Sequence, residues 1–172
     1  MLLFKFISVF FLLASVSGCG FRPLYSVNQK EKIISSFSKV HIKTMKNRTG
    51  QLLHNELERI LHPKGPSFPT THTLSAKLSE KTVSLGIKKS ALSTRQNLTI
   101  AASFTLKAND GSYGIEKSSN KITVSYNKYN SAFATIVTEQ NARNRAITEI
   151  AQEIKHHLGV FFKTNKPNLN EN

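Results

Sequence analysis

The sequence holds one cysteine, Cys19, and the residues around it specify a particular sulfur chemistry. Ahead of it run Met1-Leu2-Leu3-Phe4-Lys5, the uncharged stretch FISVFFLLASV over residues 6–16, and Ser17-Gly18. A short basic start, an apolar core and small residues before a cleavage point form the pattern of an export signal. The apolar run is too short to span a bilayer, which takes roughly 20 residues. Small residues directly before a cysteine suit a peptidase that must admit a thiol already carrying diacylglycerol. Cleavage before Cys19 is therefore expected, leaving a thioether-linked diacylglycerol and an N-acyl chain on that residue and no other cofactor. One acyl chain holds a protein to a bilayer only marginally, whereas two or more anchor it stably at about 0.8 kcal/mol per buried CH2. A lone cysteine also excludes an intramolecular disulfide and a cysteine-rich zinc site.

The other chemistry-bearing residues do not assemble a catalyst. The six histidines are His41, His54, His62, His72, His156 and His157. No pair forms H-E-x-x-H, and none has metal-ligand spacing with a carboxylate, so no metal is expected. His156-His157 reads as a favourable contact near the C-terminal end of a helix dipole. Nucleophile-elbow, Walker and dinucleotide-binding glycine motifs are absent. Acidic residues are scarce, which leaves few candidates for paired-carboxylate chemistry. The expectation is a non-enzymatic protein.

Lys and Arg number 24 against 10 Asp and Glu, a net charge of +14. Such a balance attracts polyanions. In a cytosolic protein it would suggest nucleic acid; an exported chain meets anionic phospholipids, lipopolysaccharide phosphates and acidic polymers instead.

Hydrophobic periodicity sets out the elements that must position these charges. Residues 20–38 show no period and read as a tether. Lys39-Val40-His41-Ile42-Lys43 alternates as a short strand. Asn47-Arg48-Thr49-Gly50 reads as a turn. Leu53, Leu57, Ile60 and Leu61, with Leu52 beside them, form the apolar stripe of a helix that ends at Pro63 and Gly65. Three strands follow, carrying Leu74-Ala76-Leu78, then Leu98-Ile100-Ala102-Phe104-Leu106, then Ile122-Val124-Tyr126 on one face. Thr73, Ser75, Thr99, Ser103, Thr105, Thr123 and Ser125 lie on the other face. Asn109-Asp110-Gly111 is a hairpin signal between the last two. From Ser131 the period becomes helical, with Phe133, Val137, Ile147, Ile150, Ile154, Leu158 and Phe161 in a stripe interrupted by the polar EQNARNR. The fold class is α+β: two helices packed on one face of a four-stranded, largely antiparallel sheet, in the order β-α-β-β-β-α. Residues 1–18 form the signal peptide, 19–38 the lipidated N-terminus and tether, 39–163 a single domain, and 164–172 a disordered tail.

Several stretches together resemble one known family. They are Gly18-Cys19-Gly20-Phe21-Arg22-Pro23-Leu24-Tyr25, Asn47-Arg48-Thr49-Gly50-Gln51-Leu52-Leu53, Leu85-Gly86-Ile87, Thr94-Arg95, Ser125-Tyr126-Asn127, Phe133-Ala134 and Glu139 through Arg145-Ala146. In that order and spacing the chain resembles the lipopolysaccharide-assembly lipoprotein family LptE, in its alphaproteobacterial form. The resemblance implies a small α+β domain that plugs the lumen of the outer-membrane β-barrel exporting lipopolysaccharide (the LptD-like partner), helps that barrel assemble, and contacts lipopolysaccharide. The implied location is the periplasmic side of the outer membrane. Gly20 agrees, since an Asp there would favour inner-membrane retention. High Lys and Asn content, and Asn141 where an acidic residue is common, depart from the family pattern. A second reading is a free-standing envelope lipoprotein that binds anionic glycan or lipid by charge.

Lipid A carries phosphates, which Arg grips bidentately and Lys meets as a point charge. The expected contacts are Lys88, Lys89 and Arg95, followed by Lys43, Lys46 and Arg48. Arg143 and Arg145 are expected to face the barrel, although Arg143 lies four residues after Glu139, a spacing that favours an intrahelical pair. Replacing the anchor tests the first inference. Cys19→Ala should leave an unlipidated protein that is lost from membranes, whereas labelled palmitate still entering the variant would contradict it.

Overall fold

The computed structural model describes residues 27–85, 94–112 and 114–165. Cys19, Lys88, Lys89 and residues 166–172 lie outside the described residues.

The elements run α1 (Val27–Ser38), β1 (Val40–Ile42), α2 (Arg48–Leu61), β2 (His72–Ser84), β3 (Thr94–Ala108), β4 (Gly114–Lys128) and α3 (Ala132–Thr164). The four strands form one sheet in the order β1-β2-β3-β4. β1 joins β2 in parallel; the other two pairings are antiparallel. The α+β class and the mixed, largely antiparallel sheet match the periodicity.

Register follows from which side chains can be buried. Leu74 faces Leu106 and Ala76 faces Phe104 across β2 and β3, while Leu98 faces Val124 and Ile100 faces Ile122 across β3 and β4. Side chains alternate between faces with a period of two, so these pairs share one face. On it Leu74, Leu98, Ile100, Phe104 and Leu106 are fully buried. The helices supply the opposing layer. Ile147, Ile150, Ile154, Leu158 and Phe161 of α3 and Leu53, Leu57, Ile60 and Leu61 of α2 complete a single core. At about 1.5 Å per residue the 33 residues of α3 reach about 50 Å, close to the length of the 15-residue strands at about 3.3 Å per residue.

The structure departs from the periodicity in three places. Residues 20–38 read as a tether, yet Val27–Ser38 is helical. Ile33 and Phe37, one turn apart, are the anchors, 5% and 2% exposed. Four apolar residues, Val27, Ile33, Ile34 and Phe37, in a polar 12-residue segment are too few to show as a clear period, and the contacts that stabilise the helix are tertiary. Among the described residues the helix count is therefore three. Next, the NRTG turn is the start of α2. Asn47 is its N-cap, with φ 66°, and its side chain accepts from the Gly50 N–H at 2.8 Å. A Cβ on Gly50 would lie 2.9 Å from Met45 Cβ, so the glycine permits the first turn to seat there. Finally, the α3 stripe does not begin at Phe133. Phe133 is 77% exposed and Val137 38%, whereas Ala142 and Ala146 are fully buried.

His62 ties α1 to α2. It is the buried polar residue just past α2, with Nδ1 2.6 Å from the Glu58 carboxylate and Nε2 3.1 Å from the Phe37 carbonyl oxygen. Removing the ring orphans a buried carbonyl, which costs about 1–3 kcal/mol. His62→Ala should lower the unfolding free energy measured in urea by that amount and open α1 to proteolysis; an unchanged free energy would show that α1 is held by apolar contacts alone.

Candidate anion-binding cleft and open sheet face

The face of the sheet away from the core is made mostly of hydroxyls and cations, with Ala101, Asn97 and the exposed Val83 among them. Ser75 and Thr105 hydroxyls meet at 2.7 Å, and Thr99 and Thr123 at 3.0 Å. Ser125 donates to Asn97 Oδ1 at 2.6 Å, and Thr73 to Asn109 Oδ1 at 2.8 Å. Cross-strand hydroxyl pairs of this kind stabilise a sheet face without apolar contacts. By strand alternation Lys77, Lys81, Arg95, Lys107 and Lys121 project from the same face, and all five are exposed. Among the described side chains no Asp or Glu shares it: the strand carboxylate Glu80 points to the core side, opposite Ile100.

At one end of the sheet two arginines converge. A cleft of about 530 Å³ forms where the end of β4 meets the first half of α3, lined by Arg95, Tyr126, Tyr129, Thr138, Asn141 and Arg145, with Ser125 and Asn127. The local structure is pinned at several points. Thr138 Oγ1 donates to the Asn127 carbonyl at 3.0 Å, fixing α3 to the end of β4. The Thr135 hydroxyl accepts from the Tyr129 N–H at 2.9 Å, which shapes the connection. Inside the cleft Tyr126 donates to Gln96 Oε1 at 2.6 Å. Burial, and then Glu139, raise the Tyr126 phenol above its ordinary range, so it stays a neutral donor. Arg95 and Arg145 are exposed, and no ion pair among the described residues engages either. Two guanidiniums in a polar cleft without carboxylates can bind an anionic oxygen cluster such as a phosphate.

Sequence distance separated residues that the fold brings together, and the reverse. Arg95 and Arg145, expected in different roles, share this cleft. Lys43 and Lys46 line a different one beside β2. Arg48 sits exposed in the first turn of α2. Arg143 is occupied. Its guanidinium donates to Glu80 Oε1 at 2.6 Å and to Glu139 Oε1 at 2.7 Å. The i,i+4 pair is formed, and Glu80 adds a cross-element bond that spacing could not reveal. Among the described residues no group of three metal-ligating side chains occurs and no helix is long and apolar enough to cross a membrane.

A family model for lipopolysaccharide-assembly proteins, LptE, matches residues 37–158. The chain belongs to the LptE family. The match runs from Phe37 at the end of α1 to Leu158 in α3, so it covers the whole sheet and both clefts. Solved structures share the LptE-type fold of this chain. A candidate lipoprotein from Caulobacter crescentus CB15 is 20% identical with a TM-score of 0.67, over 79% of this chain and 99% of that one. A minor lipoprotein from Acinetobacter baumannii is 16% identical with a TM-score of 0.57, over 73% and 94%. Lipoprotein B from Nitrosomonas europaea, solved in solution, is 12% identical with a TM-score of 0.52, over 72% and 83%. No curated protein sequence matches.

In this LptE-family chain the Arg143 network joins the hairpin of β2 and β3 to α3. Hydrogen bonding to Arg143, and then to Thr49, holds the Glu80 carboxyl below its ordinary range against the opposing effect of burial. A carboxyl lowered in the folded state adds stability above its unfolded value of about 4, lost as pH falls through the folded value. The groups are partly solvated, so the gain is about 1–2 kcal/mol. A double-mutant cycle with Arg143→Met and Glu80→Gln should give coupling of that size at neutral pH, vanishing in acid. Coupling near zero at neutral pH would make the pair a surface ornament.

Proposed function

We propose that the protein is an outer-membrane lipoprotein, anchored through acylated Cys19, that occupies the lumen of the lipopolysaccharide-transport β-barrel and assists its assembly. In this reading it contacts the phosphates of lipid A during insertion into the outer leaflet. Family membership supports the coarser role in lipopolysaccharide assembly. The observation that carries the finer reading is the uncovered sheet face: hydroxyls satisfied sideways and, among the described side chains, several cations with no carboxylate. The lumen of a wide barrel is polar, and a plug must meet that wall with hydrogen-bonding groups rather than grease. The Arg95–Arg145 cleft supplies a cationic recess at the end of the same sheet, wide enough to admit a phosphate. The role is binding and assembly, without catalysis.

One experiment tests both parts. The tagged protein and its Arg95→Glu/Arg145→Glu variant are purified from outer membranes in mild detergent. A large β-barrel should accompany both. Lipopolysaccharide carried by the variant should fall about tenfold, the size of one lost charge-assisted contact set. Wild-type protein emerging without a barrel would refute the plug. Lipopolysaccharide binding that survives barrel depletion and collapses with salt would favour the free-standing, charge-driven lipoprotein. Lys88→Asp/Lys89→Asp is the comparison arm, losing lipopolysaccharide only where those lysines also reach the ligand.

A further inference from the structure

β1 covers only a short length of β2. The parallel pairing runs through Val40↔His72, His41↔Thr73 and Ile42↔Leu74, and it ends with the Lys43 N–H donating to the Leu74 carbonyl at 2.9 Å. The chain then turns away towards the Asn47 cap while β2 continues to Ser84. Beyond Leu74 no described strand lies along the outer edge of β2.

The N–H and C=O of one strand residue point to the same edge, and successive residues alternate. Leu74 offers its carbonyl to β1. The backbone groups of Ala76 and Leu78 therefore point outward in the same direction, past the end of β1. A cleft of about 770 Å³ lies there, between the chain leaving β1 and β2, with Lys43, Met45, Lys46, Ala76, Lys77 and Leu78 in its lining, and it reaches across β2 to residues 103–105 of β3. It is bounded where Thr49 at the start of α2 donates to Glu80 at 3.1 Å. Neighbouring strands sit about 4.8 Å apart, the spacing an added strand beside β2 would take.

The two sides of this slot differ in chemistry. By alternation Lys43 lies with Lys77 on the open face of the sheet, and both are exposed. On the core side Met45 is 5% exposed and Leu78 is half-buried against the core. No carboxylate lines the cleft, and no ion pair among the described residues involves Lys43, Lys46 or Lys77. Lysines on an edge strand also discourage aggregation. That role requires the charges; it does not require a recess with an apolar floor in register with unpaired backbone groups.

We propose that this slot takes up an extended segment of a partner polypeptide as an added strand beside β2, with acidic side chains facing Lys43 and Lys77 and apolar side chains facing Met45 and Leu78. Main-chain bonds to Ala76 and Leu78 supply affinity, and the two-faced lining supplies specificity, the logic of strand addition. The site lies on the opposite edge of the sheet from the Arg95–Arg145 cleft and does not depend on it.

The test uses the full chain and a fluorescein-labelled peptide of alternating glutamate and valine, followed by anisotropy and by hydrogen exchange at single amides. Binding at low salt should come with slowed exchange at the Ala76 and Leu78 amides. N-methylation of alternate peptide nitrogens should weaken binding about tenfold by removing ladder donors. Lys77→Glu should weaken it comparably. Ala76→Pro should abolish it, because proline there removes only the outward N–H and leaves the pairing with β3 intact. An N-methylated or sequence-scrambled peptide that binds equally well, without protection at Ala76 and Leu78, would overturn the proposal in favour of simple charge attraction. So would anionic phospholipid vesicles that bind through Lys77 while the peptide does not bind.

Discussion

A sheet buried on one face only imposes most of what this molecule is. Leu74, Leu98, Ile100, Phe104 and Leu106 must be covered, and the long stripe of α3 together with the shorter α2 does so. Covering one face leaves the other to be satisfied without a second apolar layer. The chain meets this demand with side chains that bond sideways across strands, Ser75 to Thr105, Thr99 to Thr123 and Ser125 to Asn97. Fold and exposed chemistry thus come from one alternation: each apolar residue committed to the core places a hydroxyl or a lysine on the far side.

The charge distribution sharpens this division. Four of the ten acidic residues, Glu56, Glu58, Glu80 and Glu139, are turned inward to Arg59, His62 and Arg143. Negative charge is thereby used towards the helical layer, and among the described side chains the open sheet face keeps its cations without a carboxylate beside them. The field towards the open side is more one-sided than net composition implies. Arg143 shows why a motif is not a site. It is an arginine in a polar segment of the family pattern, and its guanidinium is absorbed by two carboxylates. Arg145, two residues on, is exposed and lines a cleft.

Strands, their faces and the hairpin between β3 and β4 were legible because alternation over many residues is a strong local signal. The fold class followed from it, while the family was legible from separate short stretches such as Asn47-Arg48-Thr49-Gly50. Other features were hidden for identifiable reasons. Among the described side chains of α1, Ile33 and Phe37 are the buried anchors, and the ring that meets its last turn, His62, comes from 25 residues away. Asn47 and Gly50 look like a turn because the residues that cap a helix are also those that make turns. Ala142 and Ala146 carry the close packing of α3, yet alanine adds nothing to a count of large apolar residues. The cleft joining Arg95 to Arg145 depends on the pairing of β3 with β4 and on Thr138 holding α3 against Asn127. No linear spacing encodes that.

The early start of α1 has a geometric consequence for an envelope protein. Only eight peptide links separate Cys19 from Val27, where the helix begins. At most about 3.6 Å per residue, they span roughly 30 Å. With acyl chains on that sulfur, the leash would be shorter than the domain's own long helix. The body could then pivot close to the bilayer but could not wander across the aqueous gap.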